Sequence, residues 1–252
     1  MAEAQTVRET GRFRLSPLIS GLLLVFDRRE RPSYDAAAGL RLLVIVVVLE
    51  LVIGPRAHIL NVFGLEQPPD WLRIGVLMLE ALAAARLWAN VRFSNIGFVS
   101  PGKWTATEAV FFFEIVVGAA IAFYALRGVT VVYPSNALPW IVGGATIGTQ
   151  LLWGFYQELV YRGLLQTELT RRFGAVAGVL AANLAFTTGP LHLYHLMKMR
   201  PETTNATLIV MGMTFAIGLL FAFIFHRTRN LWLVGVMHGI GNAFMNTAGT
   251  AP

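Results

Sequence analysis

Seven apolar segments, each close to the length of a membrane crossing, leave this chain few folds to adopt. They lie at 37–54, 72–91, 108–126, 137–158, 174–196, 205–226 and 231–248. A crossing helix needs about 20 mostly apolar residues. Gly, Pro and Asn mark most of the connections, as in Gly54-Pro55, Pro68-Pro69, Pro101-Gly102, Pro134-Ser135-Asn136 and Arg229-Asn230. The pattern predicts an all-α fold, a polytopic transmembrane helical bundle of about seven spans. The fourth helix is expected to run on past the membrane surface through Arg162 to about Arg172.

Only 13% of the residues are charged and 56% are hydrophobic, against about 25% charged in soluble domains. The net charge of +6 reads as positive charge beside membrane spans, and nucleic acid is not an expected partner. With no cysteine, disulfides, thiol nucleophiles and thiolate metal ligands are excluded. Arg28, Arg29, Arg31, Arg92, Lys103, Arg171, Arg172, Arg227 and Arg229 fall on one side of a seven-span arrangement. That bias places the N-terminus in the cytoplasm and the C-terminus outside. Residues 1–35 read as a tail without a cleavable signal, whose apolar part, Leu18 to Phe26, is an interfacial helix or a disordered segment touching the membrane. Residues 36–250 form one transmembrane domain. The compactness of the chain points to a bacterial cytoplasmic membrane.

Three polar clusters interrupt this apolar background. Ionisable groups at membrane depth cost roughly 2.5 kcal/mol or more each and persist where they face one another or a cavity. In Gln157-Glu158-Leu159-Val160-Tyr161-Arg162-Gly163, Glu158 and Arg162 are spaced for an i,i+4 ion pair, and Gln157 and Tyr161 form a neighbouring pair. The cluster reads equally as part of a reactive site and as a structural ion pair. His192 and His195 follow Gly189-Pro190, which breaks a helix where irregular backbone is tolerated only along a cavity. His238 and Asn242 share a helix face, and Gly235, Gly239 and Gly241 thin that helix for close packing. Their bland reading is an interhelical polar contact. Glu50, Glu80 and Glu114 also fall inside spans and are read as structural, pairing with Arg41, Arg73 or Arg86.

Together the clusters resemble the CPBP family, the type II CAAX prenyl endopeptidases and their bacterial relatives. That family carries Glu-Glu-x-x-x-Arg, then Phe-x-x-x-His, then His-x-x-x-Asn on successive transmembrane helices. The matching residues here are Gln157, Glu158 and Arg162, then Phe186 with His192, then His238 and Asn242. Asn95-Ile-Gly-Phe-Val99 ahead of Trp104 and the run from Asn230 to His238 add to a likeness covering roughly 95–246. The resemblance implies an intramembrane endopeptidase acting on a membrane-associated or lipidated protein. Glu158 and His192 would activate water, His238 and Asn242 would stabilise the oxyanion, and Gln157, Arg162 and His195 would support them. No cofactor is required in this reading. The alternative is a divalent metal such as zinc held by Glu158, His192 and His238.

Two departures from the family pattern stand out. The first glutamate is Gln157, and an amide cannot serve as a general base near neutral pH. His192 lies six positions after Phe186, not four. Glu158 has taken over as base, or Gln157 is an inactivating change, or the chain is a lapsed relative that binds a membrane peptide as an immunity or regulatory protein. A small-solute or proton transporter using Glu50, Glu80, Glu114 and the histidines is a further alternative.

Overall fold

The computed structural model describes residues 16–22, 24, 26, 32–53, 69–127, 139–190 and 204–248. Among them all regular structure is helical, and a helix lies at each of the seven apolar segments. A short α1, Pro17–Leu22, precedes α2, Ala36–Val48, which widens into a π-helical turn at Leu49–Ile53. Helix α3, Asp70–Ala83, ends in a second π turn at Ala84–Trp88. Two 3₁₀ turns, Phe93–Ile96 and Pro101–Lys103, lead to α4, Ala106–Arg127. Helix α5, Pro139–Glu158, passes through a π segment, Leu159–Gln166, into α6, Thr167–Phe173. Helices α7 (Ala175–Thr188), α8 (Thr204–Thr228) and α9 (Leu231–Ala248) complete the chain.

Short polar side chains set several of these boundaries. Asp35 caps α2 by accepting the amide of Ala38 at 2.6 Å. Thr105 and Glu108 form a reciprocal capping box at the start of α4, with contacts of 2.7 and 3.2 Å. Asn230 caps α9 through the amide of Trp232 at 3.1 Å. Gly174, at φ +84°, occupies the left-handed region that turns α6 into α7. Gly189-Pro190 ends α7 fifteen residues after Gly174, so this helix is shorter than the expected 174–196 segment. At 1.5 Å per residue its 14 residues span only about 21 Å.

The fifth helix and the last are packed along each other more extensively than any other pair. Glycines make the close approach possible. A side chain at Gly154 would run into the backbone of Gly239, and its Cβ would lie 2.9 Å from the carbonyl oxygen of Gly235. A Cβ at Gly239 would lie 2.5 Å from the Leu151 Cα. The expected third contributor, Gly241, faces open space.

Away from this seam the helices present apolar stripes outward. Leu40, Val44, Val47, Val48 and Leu51 are exposed along α2, and Val176, Leu180 and Leu184 along α7. Thr207–Thr228 of α8, mean hydropathy 2.6, is the one helical stretch among the described residues that is long and apolar enough, by length and composition, to cross a membrane. Exposed apolar stripes of this extent are a liability in water and fit a hydrocarbon surrounding.

Several intramembrane expectations are corrected. Arg41 donates to the Trp88 carbonyl at 3.1 Å, Arg73 to Asp70 at 2.7 Å and Arg86 to Asn90 at 3.1 Å. Glu50 takes its hydrogen bond from Tyr161 at 2.6 Å, so the Tyr161 hydroxyl is committed to α2. The stretch around α1 packs on α4, with Phe26 edge-on to Phe111 at 5.0 Å, and is part of the bundle's side wall.

One cluster outside the spans ties α6 to α2. Glu168 is fully buried, receives Arg171 at 2.7 and 2.8 Å, and also receives Arg172. Gly39 lies directly against its carboxylate. Burial alone would raise the Glu168 carboxyl, but hydrogen bonds from Arg171 and then Arg172 outweigh burial and hold it below the usual range. A depressed carboxylate contributes stability that is complete above its unfolded-state value and is lost as pH falls through its folded-state value.

Two outcomes follow for thermal unfolding in detergent. Glu168→Gln should flatten the acid side of the stability profile, and an unchanged acid limb would deny the clamp. Gly239→Leu should lose at least the roughly 1–3 kcal/mol typical of overpacking, whereas Gly241→Ala should unfold at or above the native temperature.

Candidate functional site

Glu158 is the last residue of α5 before the helix widens. Single π segments recur at functional sites because the extra residue per turn redirects side chains. Here Arg162 and Gln166 of the widened segment reach α8, and Tyr161 reaches Glu50 beside α2. Arg162 Nη2 donates to the Gly218 carbonyl at 3.0 Å and to Asn183 Oδ1 at 3.3 Å. Gln166 donates to the Ala222 carbonyl at 2.9 Å, and Asn183 donates to the Phe215 carbonyl at 2.9 Å. Three polar side chains thus dock on one face of α8, at positions 215, 218 and 222. Gly218 makes the docking possible, since a side chain there would collide with Asn183 and with the Phe186 ring.

Glu158 is fully buried, and both of its oxygens are engaged. Oε2 accepts Arg162 Nε at 3.2 Å, and Oε1 meets His238 Nδ1 at 2.8 Å. The carboxylate therefore bridges its own helix to α9, 80 residues away. With Nδ1–H donated to Glu158, Nε2 of His238 is the nitrogen left for other chemistry. The imidazole is fixed on two more sides, by Phe186 at 5.7 Å and Phe221 at 5.2 Å between ring centroids. Phe186 also lies under the Arg162 guanidinium at 4.6 Å and edge-on to Tyr161 at 5.3 Å.

The structure thus brings together Glu158, Arg162 and His238. Asn242 follows His238 by one turn on the same face and is half-buried. Gln157 is buried beside them, and its side-chain carbonyl oxygen has no hydrogen-bond partner among the described residues. An orphaned buried acceptor calls for a donor such as water or a peptide N–H. His192 and His195 lie outside the described residues. Phe186, matched to the second motif by sequence, stands at the centre of the cluster.

A base must reach the water it deprotonates, and Glu158 is fully buried, with each oxygen already carrying one hydrogen bond. Glu158 and His238 are also closer than two zinc ligands would be: at metal–ligand distances of about 2.0–2.1 Å, tetrahedral ligands stand roughly 3.3 Å apart. Their contact is a hydrogen bond, and the third residue of the expected metal set, His192, lies outside the described residues. Among the described residues no group of three metal-ligating side chains is assembled.

Asn183, Gln166 and Phe221 escaped sequence reasoning, which had paired Tyr161 with Gln157 and read Glu50 as structural. Asn183 was the most accessible of these, being a lone amide in an otherwise apolar helix four residues from the next polar side chain, Thr187.

Residues 138–244 match the family model described as type II CAAX prenyl endopeptidase Rce1-like. The match begins after the Asn95–Trp104 stretch, so it is narrower than the likeness read from sequence. Comparison with curated proteins and with solved structures returned no match.

Arg162→Ala would leave Glu158 buried beside one imidazole and should cost about 3–5 kcal/mol, the usual penalty for orphaning a buried charge. Arg162→Lys should recover little, because an ammonium cannot serve Glu158, Asn183 and Gly218 as the guanidinium fork does. Detergent-solubilised thermal unfolding reads both; native-like stability of either variant would contradict the assignment.

Proposed function

We propose that the chain, whose residues 138–244 match the Rce1-like model of type II CAAX prenyl endopeptidases, is an intramembrane endopeptidase. It would hydrolyse a peptide bond in a membrane-associated or lipidated protein, from within a multi-pass bundle in a bacterial cytoplasmic membrane with its N-terminus in the cytoplasm. The observation that carries the reading is the 2.8 Å bond between Glu158 and His238, joining the first and third motifs in one buried arrangement.

In this reading the substrate carbonyl lies against α9. His238, protonated on Nε2 and braced by Glu158, donates to the developing oxyanion together with the Asn242 amide. Such preorganised donors are each worth about 10²–10³ in rate. Glu158 and Arg162 are positioning residues. Gln157 offers its unpartnered carbonyl oxygen to the attacking water or to a substrate N–H, and His192 assists at the water. The proton acceptor for that water is neither Gln157, an amide, nor Glu158, whose oxygens are taken.

A second reading rests on the same amide. If no carboxylate reaches the water, the site binds a membrane peptide without cutting it, as an immunity or regulatory protein would.

Incubation with an internally quenched S-farnesylated CAAX peptide in phospholipid vesicles, and with its unlipidated counterpart, separates the two. The endopeptidase reading expects cleavage that falls at least about 100-fold in His238→Ala and Asn242→Ala. Retained peptide binding with no cleavage, in a folded native chain, would favour the binding protein.

A further inference from the structure

We propose that Glu50, carried by α2 and anchored on Tyr161, is the catalytic carboxylate that takes the proton of the attacking water in place of Gln157. The proposal rests on the endopeptidase reading and supplies its missing base from outside the family-matched segment.

Four observations converge on this carboxylate. Glu50 Oε2 accepts the Tyr161 hydroxyl at 2.6 Å. Tyr161 follows Gln157 by four residues, which places the two on neighbouring turns of one helix face. The hydrogen bond therefore brings a carboxylate from α2 to the side of α5 where the motif has an amide. Secondly, the bond joins two π segments, Leu49–Ile53 and Leu159–Gln166. Each widening costs regular hydrogen bonding, and such segments are frequent at functional sites.

Thirdly, exposure divides the polar side chains into two sets. Glu158, Arg162 and Asn183 are sealed at 0% exposed, whereas Glu50 and Gln157 keep 9% and His238 keeps 7%. The sealed set holds the architecture, and Glu50, Gln157 and His238 form its less tightly enclosed border. Fourthly, the pair sits where helical backbone stops. A Cβ at Gly189 would come within 2.6 Å of the Tyr161 hydroxyl and 3.6 Å of Glu50 Oε2. Only a glycine lets the end of α7 approach so closely, and irregular backbone at membrane depth is tolerated where it lines a cavity.

The step balances with the groups named. A water O–H bond breaks and its proton moves to Glu50, while the water oxygen forms a bond to the peptide carbonyl carbon. The resulting oxyanion is held by His238 and Asn242. As the C–N bond breaks, the proton leaves Glu50 for the departing nitrogen, giving a carboxylic acid and an amine and restoring the carboxylate. Tyr161 orients the carboxylate through its second oxygen.

The test moves the carboxylate between helices. Four full-length forms in vesicles, native, Glu50→Gln, Gln157→Glu and the Glu50→Gln/Gln157→Glu double variant, are assayed with the quenched farnesylated peptide. Glu50→Gln should lose about 10²–10⁴-fold in kcat, the range of general-base catalysis. The double variant should recover at least tenfold over Glu50→Gln, because the base has returned at position 157. A structural tether would show no such rescue. Native activity retained within threefold in Glu50→Gln, or an inactive Glu50→Gln that Gln157→Glu fails to restore, would overturn the assignment while leaving the endopeptidase reading intact. Cleavage by Gln157→Glu with none by the native chain would likewise overturn it. Absence of cleavage by every form would instead sink the endopeptidase reading itself, and this proposal with it.

Discussion

A carboxylate with no access to water holds this bundle together. Glu158 joins Arg162 on its own helix and His238 on the last one, and Arg162 extends the tie to Asn183 and to the backbone of Gly218. Each member makes burial tolerable for the next: the guanidinium compensates the carboxylate, and one helix carbonyl and an amide oxygen accept from the guanidinium. Remove one and a charge is stranded in an apolar interior, at several kcal/mol. The arrangement thereby fixes α5, α7, α8 and α9 against one another, and it holds the His238 ring in one orientation between Phe186 and Phe221.

Much of this was legible in the sequence, and the remainder was invisible for physical reasons. Glu158 with Arg162, and His238 with Asn242, stand at helical spacing within apolar runs, so local periodicity exposes each pair. The Gly189-Pro190 break is equally local, as is the continuation of the fourth helix to Phe173. The bond between Glu158 and His238 depends on two helices 80 residues apart, and only the family likeness joined them. The π segment after Glu158 has no compositional mark, and nothing local announces that Tyr161 within it bonds to Glu50. The docking of Asn183, Arg162 and Gln166 on α8 needs carbonyl oxygens, which sequence does not distinguish. The packing of the N-terminal stretch is equally hidden, because a short apolar run says nothing of the α4 surface that it covers.

The glycines and the charges divide the labour. Gly154, Gly235 and Gly239 allow α5 and α9 to touch backbone to backbone, which is how the first and third motifs come within hydrogen-bond reach. Gly218 and Gly189 open space for Asn183 and for the Tyr161–Glu50 pair. The family's first glutamate is an amide here, and the proposed replacement is the Glu50 carboxylate, which Tyr161 holds.

The central claim is that Glu158 orients His238 and does not itself handle water. The ¹⁵N resonances of the His238 ring, recorded on the protein in lipid nanodiscs, test it most directly. The account predicts a proton on Nδ1, hydrogen-bonded to a carboxylate, and a marked change in that signal in Glu158→Gln. A ring that carries its lone pair on Nδ1, or a resonance indifferent to the substitution, would contradict it.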